Sequence, residues 1–257
     1  MLQAHSLLWH YLWVAPNLLL LILAAILWRR KLYKKFPVFL VFAVVIPIEQ
    51  LTVYITDIIP AVQPIAWWHV FWAGLLVEAL IKFALIGEIF GAVFGLYPSV
   101  AKPGKFLISA VGVALVLLSS VAAAYTPKDN IYWIVSGAHV LEQTIYMIEC
   151  GLILFLFVFA AYFKLHWSRP AFGITLGLGI SACVHLATWA LMANGNFSAQ
   201  YRNRLDFLNM ATYHACVLIW FYYLLVPQKN VPKPKDPPPP EHDLTVWNQE
   251  LERLLHQ

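Results

Sequence analysis

Charge is what this chain has least of. Only 12% of its 257 residues are Asp, Glu, Lys or Arg, against 61% hydrophobic residues, and its mean hydropathy is +0.70. A water-soluble domain of this length needs far more polar surface, and its apolar residues fall in amphipathic stripes. Here they fall in blocks of about twenty or more, the length a helix needs to cross about 30 Å of hydrocarbon. The scarcity of charge excludes a soluble fold and makes the lipid bilayer the expected surroundings.

Other absences narrow the function. There are three cysteines, and Cys150, Cys183 and Cys216 all lie inside apolar segments, so no disulfide framework is implied. The net charge of +4 would suit a nucleic-acid partner only if it formed a basic face on a soluble domain. These cations instead lie between apolar blocks, and no nucleic-acid partner is expected. No P-loop, dinucleotide-binding glycine fingerprint, HExxH or GxSxG is present. The last apolar segment has no lysine, which disfavours a retinal Schiff base there.

What is present is a series of apolar segments at approximately 9–28, 37–56, 67–94, 106–125, 131–162, 170–193 and 205–226. The first is not read as a signal peptide, because its basic cluster follows the apolar run instead of preceding it. The fold expected is an all-α polytopic seven-transmembrane-helix bundle over residues 1–227. A Pro-rich cytoplasmic linker over 228–242 and a short amphipathic helix over 243–257 follow.

Orientation comes from the loops. One side collects Arg29, Arg30, Lys31, Lys34, Lys35, Lys102, Lys105, Lys164, Arg169, Lys229, Lys233 and Lys235, while the other has Lys128, Arg202 and Arg204. The positive-inside rule puts the first side in the cytoplasm, with the N-terminus outside and the C-terminus inside, most simply in a bacterial inner membrane. Trp9, Trp13, Trp67, Trp68, Tyr132, Trp133 and Trp189 mark the outer interface, and Trp28, Tyr33, Tyr162, Trp167, Tyr222 and Tyr223 the inner one.

Punctuation fits these bounds. Pro37, Pro127, Pro170 and Pro227 stand at or beside segment ends, and Pro47 within the second segment predicts a kink. Lys31-Leu32-Tyr33 before Pro37 and Lys164-Leu165-His166 before Pro170 have identical spacing. Segments one to three and five to seven are then parallel repeats joined by a fourth linker segment, or the likeness is a chance similarity of two basic turns. The terminal helix, with Asp243 as N-cap and Leu244, Trp247, Leu251 and Leu254 on one stripe, rests on the membrane surface or docks a cytoplasmic partner.

Ionisable groups inside a membrane each cost about 2.5–3.5 kcal/mol at mid-span and so mark a function or a buried network. In the fifth segment Ser136, His139, Glu142, Gln143, Tyr146, Glu149 and Cys150 recur every three or four residues, forming one polar stripe. Glu78 and Lys82 are an i, i+4 pair in the favoured order, for which structural pairing is expected. Glu88, nearer the cytoplasm, is expected to be solvated. Gly173, Gly177 and Ser181 repeat every fourth position and lead to His185, so that close packing should press its imidazole against a neighbour.

His139, His185 and His214 lie about 12 Å inside their outer helix ends by helical rise. Glu49, Gln50 and Glu142 are near that level, and Asp206, Asn209 and Tyr213 line a face leading to it. The expectation is an outer-leaflet chamber lined by segments two, three, five, six and seven. It would bind a small polar or protonatable ligand, or relay a proton, in a sensor or transporter without a cofactor. The alternatives are a membrane oxidoreductase or enzyme subunit with His139, His185 and His214 holding a metal ion or haem, and an assembly subunit whose polar stripe meets another membrane chain.

Overall fold

The computed structural model describes residues 5–59, 64–94, 132–162, 167–193, 199–226 and 241–255, with isolated positions between 106 and 117. All regular structure among them is helical. The helices are α1 (Leu7–Arg29), α2 (Pro37–Ile58), α3 (Pro64–Phe94), α4 (Tyr132–Tyr162), α5 (Arg169–Ala193), α6 (Ala199–Leu225) and α7 (Glu241–Leu255), with a short 3-10 turn over Leu32–Lys34. The first six are each long and apolar enough to cross a membrane. The chain is an all-helical integral membrane protein with six such helices among the described residues. The fourth predicted segment, 106–125, lies outside the described residues except at scattered positions, as does nearly all of the linker.

Predicted and observed bounds agree closely except at α6, which begins at Ala199, ahead of the apolar run. Hydropathy reports only the part of a helix that matches the hydrocarbon. The chain continues helical through Gln200, Tyr201, Arg202, Asn203 and Arg204 because none of these residues breaks a helix. At the other terminus α7 begins at Glu241, so Asp243 lies in its first turn and not at the N-cap. An acid there still suits the positive end of the helix dipole. Helix α2 continues through Pro47, which is buried, and α1 carries Pro16 in its interior in the same way.

The six long helices form a closed ring. Each packs on the next in chain order and α6 returns to α1, while α3 also touches α5 across the ring. One end of this ring is solid. Leu20, Leu23, Phe39, Phe42, Leu85, Ile89, Ile174, Leu178, Val217 and Trp220 belong to a continuous buried apolar core. Small residues set its closest approach. A Cβ on Gly177 would collide with the Trp220 indole, and one on Gly173 with Tyr223. The every-fourth-residue series on α5 therefore receives the aromatic residues of α6, and Trp220 donates its indole N–H to the Ile174 carbonyl at 3.3 Å.

Two long-range polar contacts tie the solid end. Helix α2 starts after Phe36, whose side chain cannot satisfy the first amides of the helix. Glu88 of α3 does so instead, accepting from Val38 N at 2.8 Å and Phe39 N at 3.1 Å. This carboxylate is thus a helix cap supplied from another helix and not a solvated side chain, and the positive end of the α2 dipole favours its charge. Arg30, the C-cap residue of α1, donates to the Leu225 carbonyl at the end of α6 at 3.2 Å.

Adjacent packing of α4 and α5 brings Cys150 and Cys183 together, with their sulfurs 3.7 Å apart. Sulfurs in contact are placed for oxidative cross-linking to a disulfide of about 2.05 Å. Treatment of membranes with copper phenanthroline should therefore remove two thiols, leaving one of the three cysteines to be alkylated after denaturation. Dithiothreitol should restore them. Cys150→Ser should leave both remaining thiols labelled; loss of thiols in that variant would contradict the α4–α5 packing.

Candidate functional site

Helix α3 places Gly74, Glu78 and Lys82 on one stripe, four residues apart. Lys82 is only 6% exposed, and its ammonium lies 2.9 Å from Glu78 Oε1 and 3.2 Å from Glu149 Oε2. It also stands over the Tyr146 ring, 4.6 Å from the centroid. Tyr146 and Glu149 are three residues apart on α4, so a single ammonium joins the facing stripes of two helices. A buried cation is tolerable because two carboxylates and an aromatic face replace its hydration. Among the described residues Glu149 Oε1 has no hydrogen-bond partner.

Tyr146 carries the contact onward by stacking on His185 of α5, with centroids 4.6 Å apart and planes at 24°. His185 Nδ1 lies 2.9 Å from the Ser181 carbonyl. A carbonyl only accepts, so Nδ1 carries the hydrogen, and in the neutral ring Nε2 keeps the lone pair. One turn further, Thr188 Oγ1 lies 2.8 Å from the His185 carbonyl and 3.1 Å from Asn209 Oδ1, which links α5 to α6. Tyr213 donates to Asn17 Oδ1 at 3.2 Å, Asn17 donates to the Trp13 carbonyl at 2.7 Å, and the Trp13 indole donates to the Gln50 carbonyl at 3.3 Å. Helices α6, α1 and α2 are thereby joined in sequence.

These groups surround a cavity of about 380 Å³ within the ring. Its walls come from the N-terminal half of α1 and the middle parts of α2, α3, α5 and α6, with Tyr146 contributed by α4. Trp220, Phe42 and Leu178 lie where the cavity meets the apolar core. Glu49 of α2 packs over Gly74, one turn along α3 from Glu78; a Cβ there would meet the Glu49 carboxyl carbon at 2.6 Å. Among the described residues its Oε2 is buried without a hydrogen-bond partner.

Of the residues singled out in the sequence, Glu49, Gln50, Glu78, Lys82, Tyr146, His185, Asp206, Asn209 and Tyr213 line this one cavity. Glu149 sits behind Lys82. Gln143 is half-buried on α4 but is not among the lining residues. His139 and Glu142 lie on α4, but their side chains fall outside the described residues, as does that of Ser136. His214 is turned away: at 100° per residue it is about 90° around α6 from the cavity-facing stripe, and its ring lies 5.7 Å from that of Tyr11. Among the described residues no group of three His, Cys, Asp or Glu side chains is arranged to hold a metal ion.

The sequence reading left out α1, which contributes Leu12, Trp13 and Asn17 to the walls. Asn17 was detectable as a lone amide in an apolar run beside Pro16. The third member of the Lys82 cluster was harder to find, because pairing Lys82 with Glu149 requires knowing how α3 and α4 face each other.

Removing the shared cation should be more damaging than removing the cluster. Lys82→Met should lower unfolding stability by about 3–5 kcal/mol, the cost of leaving buried carboxylates unpaired. Adding Glu149→Met should recover a substantial part of it. Both are measurable by thermal melting in detergent micelles, and a Lys82→Met protein that melts like the wild type would sink the ion-pair account. Comparison of the chain with protein-family models, curated proteins and solved structures gives no match.

Proposed function

We propose that this chain is a heptahelical membrane binding protein, a sensor or a transporter, that takes a small polar or protonatable ligand in the cavity within its helix ring. The observation that carries this reading is the cavity itself. About 380 Å³ is left open where Glu49, Glu78, Lys82 and His185 converge, although charged groups in hydrocarbon are costly and a structural network alone would close around them. The size falls in the range of small-molecule sites, as does the mixture of aromatic walls and a few polar groups.

In this reading residues 106–125 supply a seventh span, the N-terminus is outside and the C-terminus is in the cytoplasm. The membrane is the bacterial inner one. The excess of Lys and Arg on one set of loops supports that orientation, and the cavity then occupies the outer half of the membrane. Two three-helix halves, α1 to α3 and α4 to α6, would rock against each other in a transporter. The Pro-rich segment and α7 would reach a cytoplasmic partner in a sensor. Glu142 and His139 extend the polar stripe of α4 outward and would exchange protons with the ligand or hydrogen-bond it.

Two measurements check this. Purified full-length protein is screened with a panel of small cationic, anionic and neutral polar compounds. A ligand present at a hundred times its Kd should add about 2.7 kcal/mol of stability, and Leu178→Trp, which fills the cavity, should abolish that shift. Absence of any shift across all three classes would count against a binding role. For orientation, single cysteines introduced at Lys34 and at Arg202 in a cysteine-free background should react with an impermeant maleimide from opposite sides. Lys34→Cys should be labelled only once the cytoplasmic face is exposed; labelling of Lys34→Cys in intact cells would reverse the assigned topology.

A further inference from the structure

Three features of the cavity point to the charge and shape of what it holds. The first is the charge balance. Glu49, Glu78 and Asp206 line the space and Glu149 stands just behind it, while Lys82 is the one Lys or Arg among the lining residues. That ammonium is already committed to Glu78 and Glu149. Asp206 has Arg202 near it, which leaves Glu49 as the lining carboxyl with no cation of its own, and among the described lining residues an anionic ligand would meet no uncommitted Lys or Arg.

The second feature is the state of Glu49. Its carboxyl occupies the space that Gly74 leaves by having no side chain, with the Gln50 side chain as a hydrogen-bond neighbour, and among the described residues its Oε2 is buried with no hydrogen-bond partner. Glu78 is one helical turn from Gly74 on the same stripe, which puts the two carboxyl-bearing side chains beside each other on one wall. A carboxyl buried in this setting either stays neutral or takes a counter-charge, and among the described lining residues no Lys or Arg is free to supply one.

The third is the nature of the walls. Trp13, Phe42, Phe71, Tyr146, Tyr213 and Trp220 surround the space. Aromatic faces attract organic cations, and Tyr146 already does so with Lys82 at 4.6 Å. A bare divalent ion fits less well, because among the described residues no three ligating side chains converge.

We infer that the ligand is an organic ammonium ion carried on a small apolar or aromatic body, with its charge against Glu49 and its body among the aromatic side chains. This rests on the binding role proposed above and specifies the ligand class for the same cavity. The ammonium supplies the partner that Glu49 lacks. The site thereby repeats, for a ligand, the arrangement that α3 and α4 already use for Lys82.

The test uses full-length protein in detergent and three probes of similar shape but different charge: phenethylammonium, 2-phenylethanol and phenylacetate. Binding is read from tryptophan fluorescence, since Trp13 and Trp220 line the space, and from melting temperature. Phenethylammonium should bind roughly tenfold more tightly than 2-phenylethanol, with phenylacetate weakest. Glu49→Gln should bring the ammonium and the alcohol to within roughly threefold of each other. Equal or tighter binding of the alcohol or of phenylacetate by the wild type would overturn the cation assignment and leave the binding role standing. Retention of the full preference by Glu49→Gln would overturn the placement of the charge. Failure of all three probes, with another compound of the panel still stabilising the protein, overturns the ligand class alone; failure of probes and panel together overturns both.

Discussion

The ammonium of Lys82 is the point on which the two sides of the ring depend. In water its charge would be solvated at little cost, but inside a helix bundle it must be matched by groups held at fixed positions. Glu78 comes from its own helix and Glu149 from the next, so Glu149 meets the cation only when α3 and α4 have one relative rotation and depth. Sliding either helix by one residue would separate a carboxylate from the cation. The same fixed rotation places Tyr146 where it stacks on His185, which sets the third wall. Electrostatics here acts on geometry: it selects one register from the many that greasy helix surfaces would otherwise permit.

Apolar packing does the complementary work at the other end. Lipid tails are as apolar as leucine, so helices gain little from hiding leucine from lipid and associate through close fit. Gly173 and Gly177 let Tyr223 and Trp220 seat against the α5 backbone. Gly74 has a similar absence of side chain but a different occupant, the carboxyl of Glu49. Small residues in this chain therefore serve both close packing and the placement of a charge.

Helix extents were legible because hydrocarbon thickness fixes the length of an apolar run, and breakers such as Pro37 and Pro170 sharpen the ends. The polar residues that meet in one cavity were legible too. Burying charge is expensive enough that Glu49, Glu78, Lys82 and His185 had to face inward, whatever the detailed packing. What could not be read was which side chain meets which. Glu149 joining Lys82, Glu88 capping α2 from fifty residues away, and the turn of His214 toward Tyr11 all depend on rotations of one helix against another. Periodicity within a single helix does not record those rotations. Asn17 was missed for a simpler reason: one amide in a leucine-rich run is easily passed over, although its side chain joins α1 to α6.

The two polar ties at the solid end give the ring a mechanical bias. Glu88 holds the first turn of α2 to α3, and Arg30 holds the last turn of α6 to α1, both at the end away from the cavity. With the apolar core filling the space between them, that end resists separation. Around the cavity Lys82 ties α3 to α4 and Trp13 and His10 tie α1 to α2, while among the described residues α1 and α6 meet there through the single hydrogen bond from Tyr213 to Asn17. The bundle thus has the build of a pair of tweezers, pinned at the base, and the easier deformation is a spreading of the tips. A ligand whose fit differs between spread and closed tips would move helix ends by ångströms where it binds while the base stays nearly still.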